Sequence, residues 1–303
     1  MLKKYKIIYI LFFLLIIFFF THNFLFNILS RAILSHQLAI LPSLVVKKIN
    51  KKIDFDLYNS DNKKKAAVVL NEYVFKHSKP VEKNLDDGAS WKLLHGSIWC
   101  DGVSDILNRL LEVVNIRAYL AFLYENNNVS GHVVSYVDFL DQSLIAGKNN
   151  SLNTYSLYVF DPQNNYIPIK KSGNLADINY MILNKNEFNH FIKLDSDNIK
   201  LNLIENKKVQ LWDRNSLKEE SGLIRGLSFQ LVFYFPDFIF ENLIRLSIRI
   251  NPNLDDDYKA FLDARLDHVL MNYDRAVTKY EKISNNNKYS GDVNFWLKTL
   301  KKL

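Results

Sequence analysis

A long uncharged apolar run near the start of the chain constrains it most. Lys3, Lys4 and Lys6 precede Ile7–Phe20, Thr21-His22-Asn23 interrupts the run, and Phe24-Leu25-Phe26 resumes it. No charged residue lies between Ile7 and Ser30. As one helix, Ile7–Phe26 would reach about 30 Å, the thickness of a hydrocarbon core. Because it is apolar on every face, it reads poorly as a buried helix of a water-soluble fold. An uncleaved anchor is the favoured reading and a cleaved signal the other. The small pair Ser30 and Ala32 sits far from the strongest part of the run and flanks Arg31. Either way, the lysines ahead of the run outnumber Arg31 behind it. That bias predicts a single-pass membrane protein with a cytoplasmic N-terminus and its bulk outside the cytoplasm.

Composition excludes several classes. The chain has 303 residues, a formal net charge of +7 and 48% hydrophobic residues, which is too apolar for a disordered chain. Nine Gly and six Pro leave no room for collagen-like or linker-rich architecture. A single Cys excludes an internal disulfide framework and any multi-cysteine metal cluster. His22, His36, His77, His190 and His268 have no ligand spacing, so neither a metal nor a cofactor is expected. The basic excess is diffuse. Its densest point, Lys63-Lys64-Lys65, has no Arg-rich aromatic stretch after it and reads as a solvated helix start, so no nucleic-acid partner is expected.

The remaining pattern suggests four parts: 1–30 as anchor or signal, 31–60 as stalk, 61–205 as the main domain and 206–303 as a mostly helical region. Arg31–Lys52 reads as a helical stalk broken near Pro42. Asp61–His77 is amphipathic, with Ala67, Leu70, Tyr73 and Val74 at helical spacing, and Lys79-Pro80 ends it. Glu82–Ser97 reads as a loop. Gly102–Val114 carries a broad apolar face built on Val103, Ile106, Leu107, Leu110 and Leu111. Arg117–Tyr124, His132–Phe139, Tyr155–Phe160 and Tyr166–Lys170 read as strands, with Leu140–Thr154 as a polar insertion. An antiparallel sheet packed on a helix is the α+β pattern. Asn174–Trp212 gives weak signals. Leu227–Ile250 is apolar and breaks at Pro236, with Asp237 as a helix opener. Asp237, Glu241, Arg245 and Arg249 oppose a second membrane span. Asp255–Ile283 and Val293–Leu303 read as helices. Ala264–Ile283 has the spacing of half a tetratricopeptide unit, although an ordinary helical hairpin accounts for it better.

Three short segments concentrate the chemistry: Trp99-Cys100-Asp101-Gly102, Gly131-His132-Val133-Val134 and Val159-Phe160-Asp161-Pro162. Cys100 precedes the strongest helix, where free N–H groups and the dipole favour a thiolate. His132 opens one expected strand and Asp161 closes another. If those strands are antiparallel neighbours, the two residues meet at one corner of the sheet. A thiol nucleophile needs a base, and the imidazole needs a carboxylate on its other nitrogen to fix its orientation. Taken singly, the cysteine reads as a small core residue, the histidine as an edge residue and Asp161-Pro162 as a turn opener. Their joint order and placement favour a site.

At these residues the sequence resembles the transglutaminase-like superfamily. Leu94-His95-Gly96-Ser97-Ile98-Trp99-Cys100-Asp101-Gly102 fits the Gly-containing approach to a helix-opening Cys. Asn115-Ile116-Arg117-Ala118 fits the strand entry that follows, with Asn where Gly is usual. Gly131-His132 and Asp161-Pro162 complete the pattern, which covers about Asp61–Ile169. The resemblance implies a papain-like α+β core with Cys100 as nucleophile, His132 as general base and acid, and Asp161 as the orienting carboxylate. It implies acyl transfer or hydrolysis at an amide of a peptide or protein substrate, either a peptide bond or a glutamine side chain, through an acyl-enzyme thioester on Cys100. The Leu140–Thr154 insertion lengthens the usual His-to-Asp separation. The backbone N–H of Cys100 is one oxyanion donor by position, and Trp91 and His95 are candidates for the second. No calcium-loop pattern accompanies the motifs. The alternative from another class is a membrane-anchored binding or assembly module of an envelope or secretion system that keeps the fold without turnover. A third is an adaptor whose C-terminal helices hold a protein partner.

Overall fold

The computed structural model describes residues 40–51, 60–80, 89–124, 130–139, 157–184, 209–213, 232–283 and 287–301. Residues 40–51 form helix α1, which runs through Pro42 without a break. Leu41, Leu44, Val45, Val46 and Ile49 recur at helical spacing and are all buried. Over these residues the expected stalk is a core helix. Lys47 Nζ donates to the carbonyls of Val232 and Phe235, both at 2.7 Å, and pairs with Asp237 at 2.8 Å.

Helix α2 (Ser60–His77) buries Ala66, Ala67, Leu70, Tyr73 and Val74 along one stripe. Helix α3 (Ala89–His95) lies inside the stretch expected as loop. It has too few residues for a readable period, and burial of Leu93 and Leu94 stabilises it. Gly96 stops it in a left-handed conformation, φ 79°, and donates its N–H to the Lys92 carbonyl at 2.8 Å. Strand β1 (Lys79–Pro80) then pairs in parallel with β2 (Ser97–Ile98). Helix α4 (Cys100–Val113) buries Val103, Ile106, Leu107, Leu110 and Leu111.

Strands β3 (Arg117–Tyr124), β4 (Ser130–Asp138), β5 (Tyr158–Phe160) and β6 (Val209–Asp213) form one antiparallel sheet in the order β5-β4-β3-β6. Helix α5 (Ile178–Leu183) is capped by Asp177, whose carboxylate accepts the Tyr180 N–H. Helices α6 (Asp237–Ile250), α7 (Asp256–Val269), α8 (Tyr273–Lys282) and α9 (Ser290–Leu300) follow. A left-handed residue, Met271 at φ 58°, breaks the α7–α8 hairpin. One hydrophobic cluster runs from Leu41 of α1 through α2, α3, α4, α6, α7 and α8 to Trp296 of α9. A smaller one groups Tyr119, Val134, Tyr136 and Val159 of the sheet with Ile178 and Met181 of α5.

Two expectations are corrected here. The chain is mostly helical over the described residues and its sheet is small, so a papain-like α+β core with a transmembrane helix is not its fold class. Two stretches account for the difference. Tyr166–Lys170, expected as a strand from its β-rich composition, forms only the isolated bridges Asp161–Tyr166 and Ile169–Leu175. Helix α3 was missed. The C-terminal helices α6–α9 share the main hydrophobic cluster with α2, α3 and α4. The second correction concerns localisation. Among the described residues no helix is long and apolar enough to cross a membrane, so the expected single-pass placement is not supported. The run Ile7–Phe26 itself lies outside the described residues.

Candidate active site

Cys100, the one cysteine of the chain, is the first residue of α4 and is half-buried. The preceding Trp99 is extended, φ −76° and ψ 173°, which turns the chain sharply into the helix. The Val103 N–H closes the first helical turn on the Trp99 carbonyl at 2.9 Å. Gly102 lets α4 start close to β2: a Cβ there would meet Ile98 Cβ at 3.3 Å and Lys92 Cδ at 3.4 Å. Two serines bind the next turn to β4. Ser104 Oγ donates to the Val133 carbonyl at 3.1 Å, and Ser135 Oγ donates to the Ser104 carbonyl at 3.3 Å. The helix tip is thereby held beside the strand that carries His132.

Strand register accounts for the second contact. Ser135 pairs with Phe160, so one step further Asp161 stands opposite Val134. Residues two apart on a strand share a face, which makes His132 the diagonal neighbour of Asp161. The His132 Nε2 to Asp161 Oδ2 distance is 2.8 Å, with both side chains buried. The Cys100 side chain also interacts with this imidazole and raises its proton affinity.

Burial alone would lower the proton affinity of His132. The hydrogen bonds to Asp161 and Cys100, together with their charges, outweigh it and push the imidazole up to about 10. Asp161 is fixed from several directions. Oδ1 accepts the backbone N–H groups of Gln163 at 3.1 Å and Asn164 at 3.2 Å. Oδ2 accepts the Asn164 side-chain amide at 2.8 Å. Its backbone exchanges two 2.9 Å hydrogen bonds with Tyr166. Burial and the charge of Asp161 push the Tyr166 phenol up to about 12.

The structure thus groups Cys100, His132 and Asp161. Both oxyanion candidates contact Tyr258. His95 Nδ1 lies 2.9 Å from the Tyr258 hydroxyl of α7, and Trp91 stacks on the Tyr258 ring with centroids 6.4 Å apart. Sequence reading missed Asn164, Ser104 and Ser135. The run Asp161-Pro162-Gln163-Asn164 has the composition of a turn in which an Asp side chain caps the following N–H groups, and that signal was available. The serines carried no signal, because an isolated Ser in an apolar helix (Ser104) or strand (Ser135) has no readable partner. Among the described residues no three His, Cys, Asp or Glu side chains are grouped to hold a metal ion. No protein-family model, curated protein or solved structure matches this chain.

Proposed function

We propose that the chain is a thiol enzyme of transglutaminase-like chemistry, which transfers or hydrolyses an acyl group at a peptide or glutamine amide through Cys100, His132 and Asp161. The observation that carries this reading is the convergence, on one buried imidazole, of a helix-opening thiol and a carboxylate at 2.8 Å. Each group has the environment its role requires. The thiol sits at a helix start, where backbone N–H groups and the dipole favour negative charge. The imidazole lies between a nucleophile and an orienting acid.

The chemistry follows from those positions. Cys100 Sγ adds to the amide carbonyl carbon, with its proton held on His132. The negative charge that develops on the carbonyl oxygen faces the N–H groups at the start of α4. The C–N bond breaks as His132 gives its proton to the leaving amine, and a thioester remains on Cys100. Water or a second amine then attacks that thioester. His132 takes the attacking group's proton, and the C–S bond breaks to return the thiol and release an acid or a new amide.

Alkylation of the full chain by iodoacetamide at pH 7 tests the reading, since Cys100 is the one thiol. The expected rate exceeds that of a short cysteine peptide by about tenfold or more, and His132→Ala brings it down to the peptide rate. A peptide-like rate in the unaltered chain overturns the enzymatic reading and leaves a binding or assembly module.

A further inference from the structure

We infer that Asn164 is a positioning residue of this site, its side-chain amide steering Asp161 so that the carboxylate holds His132 toward Cys100. The inference rests on the proposed thiol chemistry and adds a residue to it.

A carboxylate oxygen can only accept hydrogen bonds, so the Asn164 amide must present its NH₂ group to Asp161 Oδ2. The distance is 2.8 Å, equal to that from His132 Nε2 to the same oxygen. With two backbone N–H groups on Oδ1, the carboxylate accepts four hydrogen bonds, close to its full complement. The two Oδ1 bonds come from neighbours in its own turn and fix the base of the side chain. The Asn164 amide and the imidazole share Oδ2, and between them they set the plane of the carboxylate.

The turn that carries Asn164 is itself braced. Asn71 of α2 is buried, and its amide donates to Asn165 Oδ1 at 3.1 Å. Asn165 is left-handed, φ 48°, which directs the chain back so that Tyr166 can pair with Asp161. The turn therefore delivers Asn164 to Oδ2 from a fixed platform. Among the described residues, Cys100 of α4 and Asp161 act on the His132 ring, and Asp161 acts on the Tyr166 phenol.

A role limited to stabilising the turn would act through the backbone N–H of Asn164, which any residue there supplies. A positioning role acts through the side chain and changes the imidazole. The test is an NMR titration of the His132 ring, run beside iodoacetamide alkylation of Cys100 in the full chain. Asn164→Ala is expected to lower the His132 midpoint from about 10 by about one unit and to slow alkylation by about tenfold. N164D keeps the side-chain size and the turn-forming backbone but cannot donate when ionised, and it should slow alkylation comparably. An unaltered midpoint in N164A overturns the assignment. If N164A fails to fold, an unaltered alkylation rate in N164D overturns it. A peptide-like rate in the unsubstituted chain instead overturns the thiol reading, so the two failures are distinct.

Discussion

At the scale of single residues, His132 links the site to stability. Its proton affinity is raised on folding, to about 10 from the ordinary 6.5. The folded state therefore gains from the protonated ring. That contribution is complete below pH 6.5 and is lost as pH rises toward 10. Urea unfolding at pH 6, 8 and 10 should show a falling midpoint across this window, and Asp161→Asn should flatten the fall. His77 shifts the other way. Burial, the largest cause, lowers it to about 3, against the smaller upward pull of the Tyr73 carbonyl. Nearby His268 is likewise lowered by burial and by the charge of Arg265. Both rings are buried and neutral in the fold, while the unfolded chain protonates them below pH 6.5. Stability should fall as pH drops from 6.5 toward 3, and an acid titration followed by tryptophan fluorescence reads it. Gly96 offers a steric test. At φ 79°, an added Cβ would lie 2.3 Å from Arg265 Nη2 and 2.7 Å from its Cζ, both buried. Gly96→Ala should cost about 3 kcal/mol or more in denaturant unfolding.

At the scale of elements, the important contact is between α4 and β4. Hydrophobic burial supplies most of the α4 packing energy, but it does not fix rotation or slide of the helix along the sheet. The directional bonds of Ser104 and Ser135 do. Ser104→Ala should cost about 1 kcal/mol of stability by loss of a net hydrogen bond. It should also slow Cys100 alkylation, because the helix tip loses its register against His132. Equal alkylation rates in S104A and the parent chain would show that apolar packing alone sets that register. The short α3 belongs to this scale too. It forms because its carbonyls and apolar side chains find partners on α4 and α7, not because its own sequence is strongly helical.

At the scale of the whole molecule, Arg265 of α7 joins the C-terminal helices to the approach to Cys100. Its guanidinium is fully buried. It donates to the carbonyls of His77 (2.9 Å), Leu93 (3.2 Å) and Leu94 (3.1 Å), lies 2.8 Å from His268 Nδ1, and stacks over Trp296 at 4.1 Å. The carbonyls are those that α2 and α3 leave unsatisfied at their C-terminal ends, where a cation is favoured. A second network joins α6, α7 and α8: Arg245 pairs with Asp263 and buried Asp267, and Lys279 pairs with both acids. Truncation after Asn251 removes both arrangements and much of the core. The remaining chain should lose cooperative unfolding, and the intact chain should unfold in one transition by fluorescence and circular dichroism alike. Two separated transitions would show that 206–303 is an independent unit.

The sequence alone determined what short-range rules can reach. Helical spacing marked Asp61–His77 and the apolar face of α4; Asp237 marked the start of α6; a short β-rich run bounded by turn residues marked β3; and motif order singled out Cys100, His132 and Asp161. It misjudged the fold class. Whether a stretch such as Ala89–His95 becomes a helix, or residues 40–51 enter the core, depends on surfaces supplied by residues far along the chain. Tertiary structure alone decided that Asn164 shares an oxygen with His132, that Trp91 and His95 engage Tyr258, and that Arg265 caps two helices at once. The physical reason is that periodicity records which side of an element is apolar, whereas a buried polar group is stable only when a specific partner arrives at hydrogen-bond distance, and the local pattern does not encode that partner's identity.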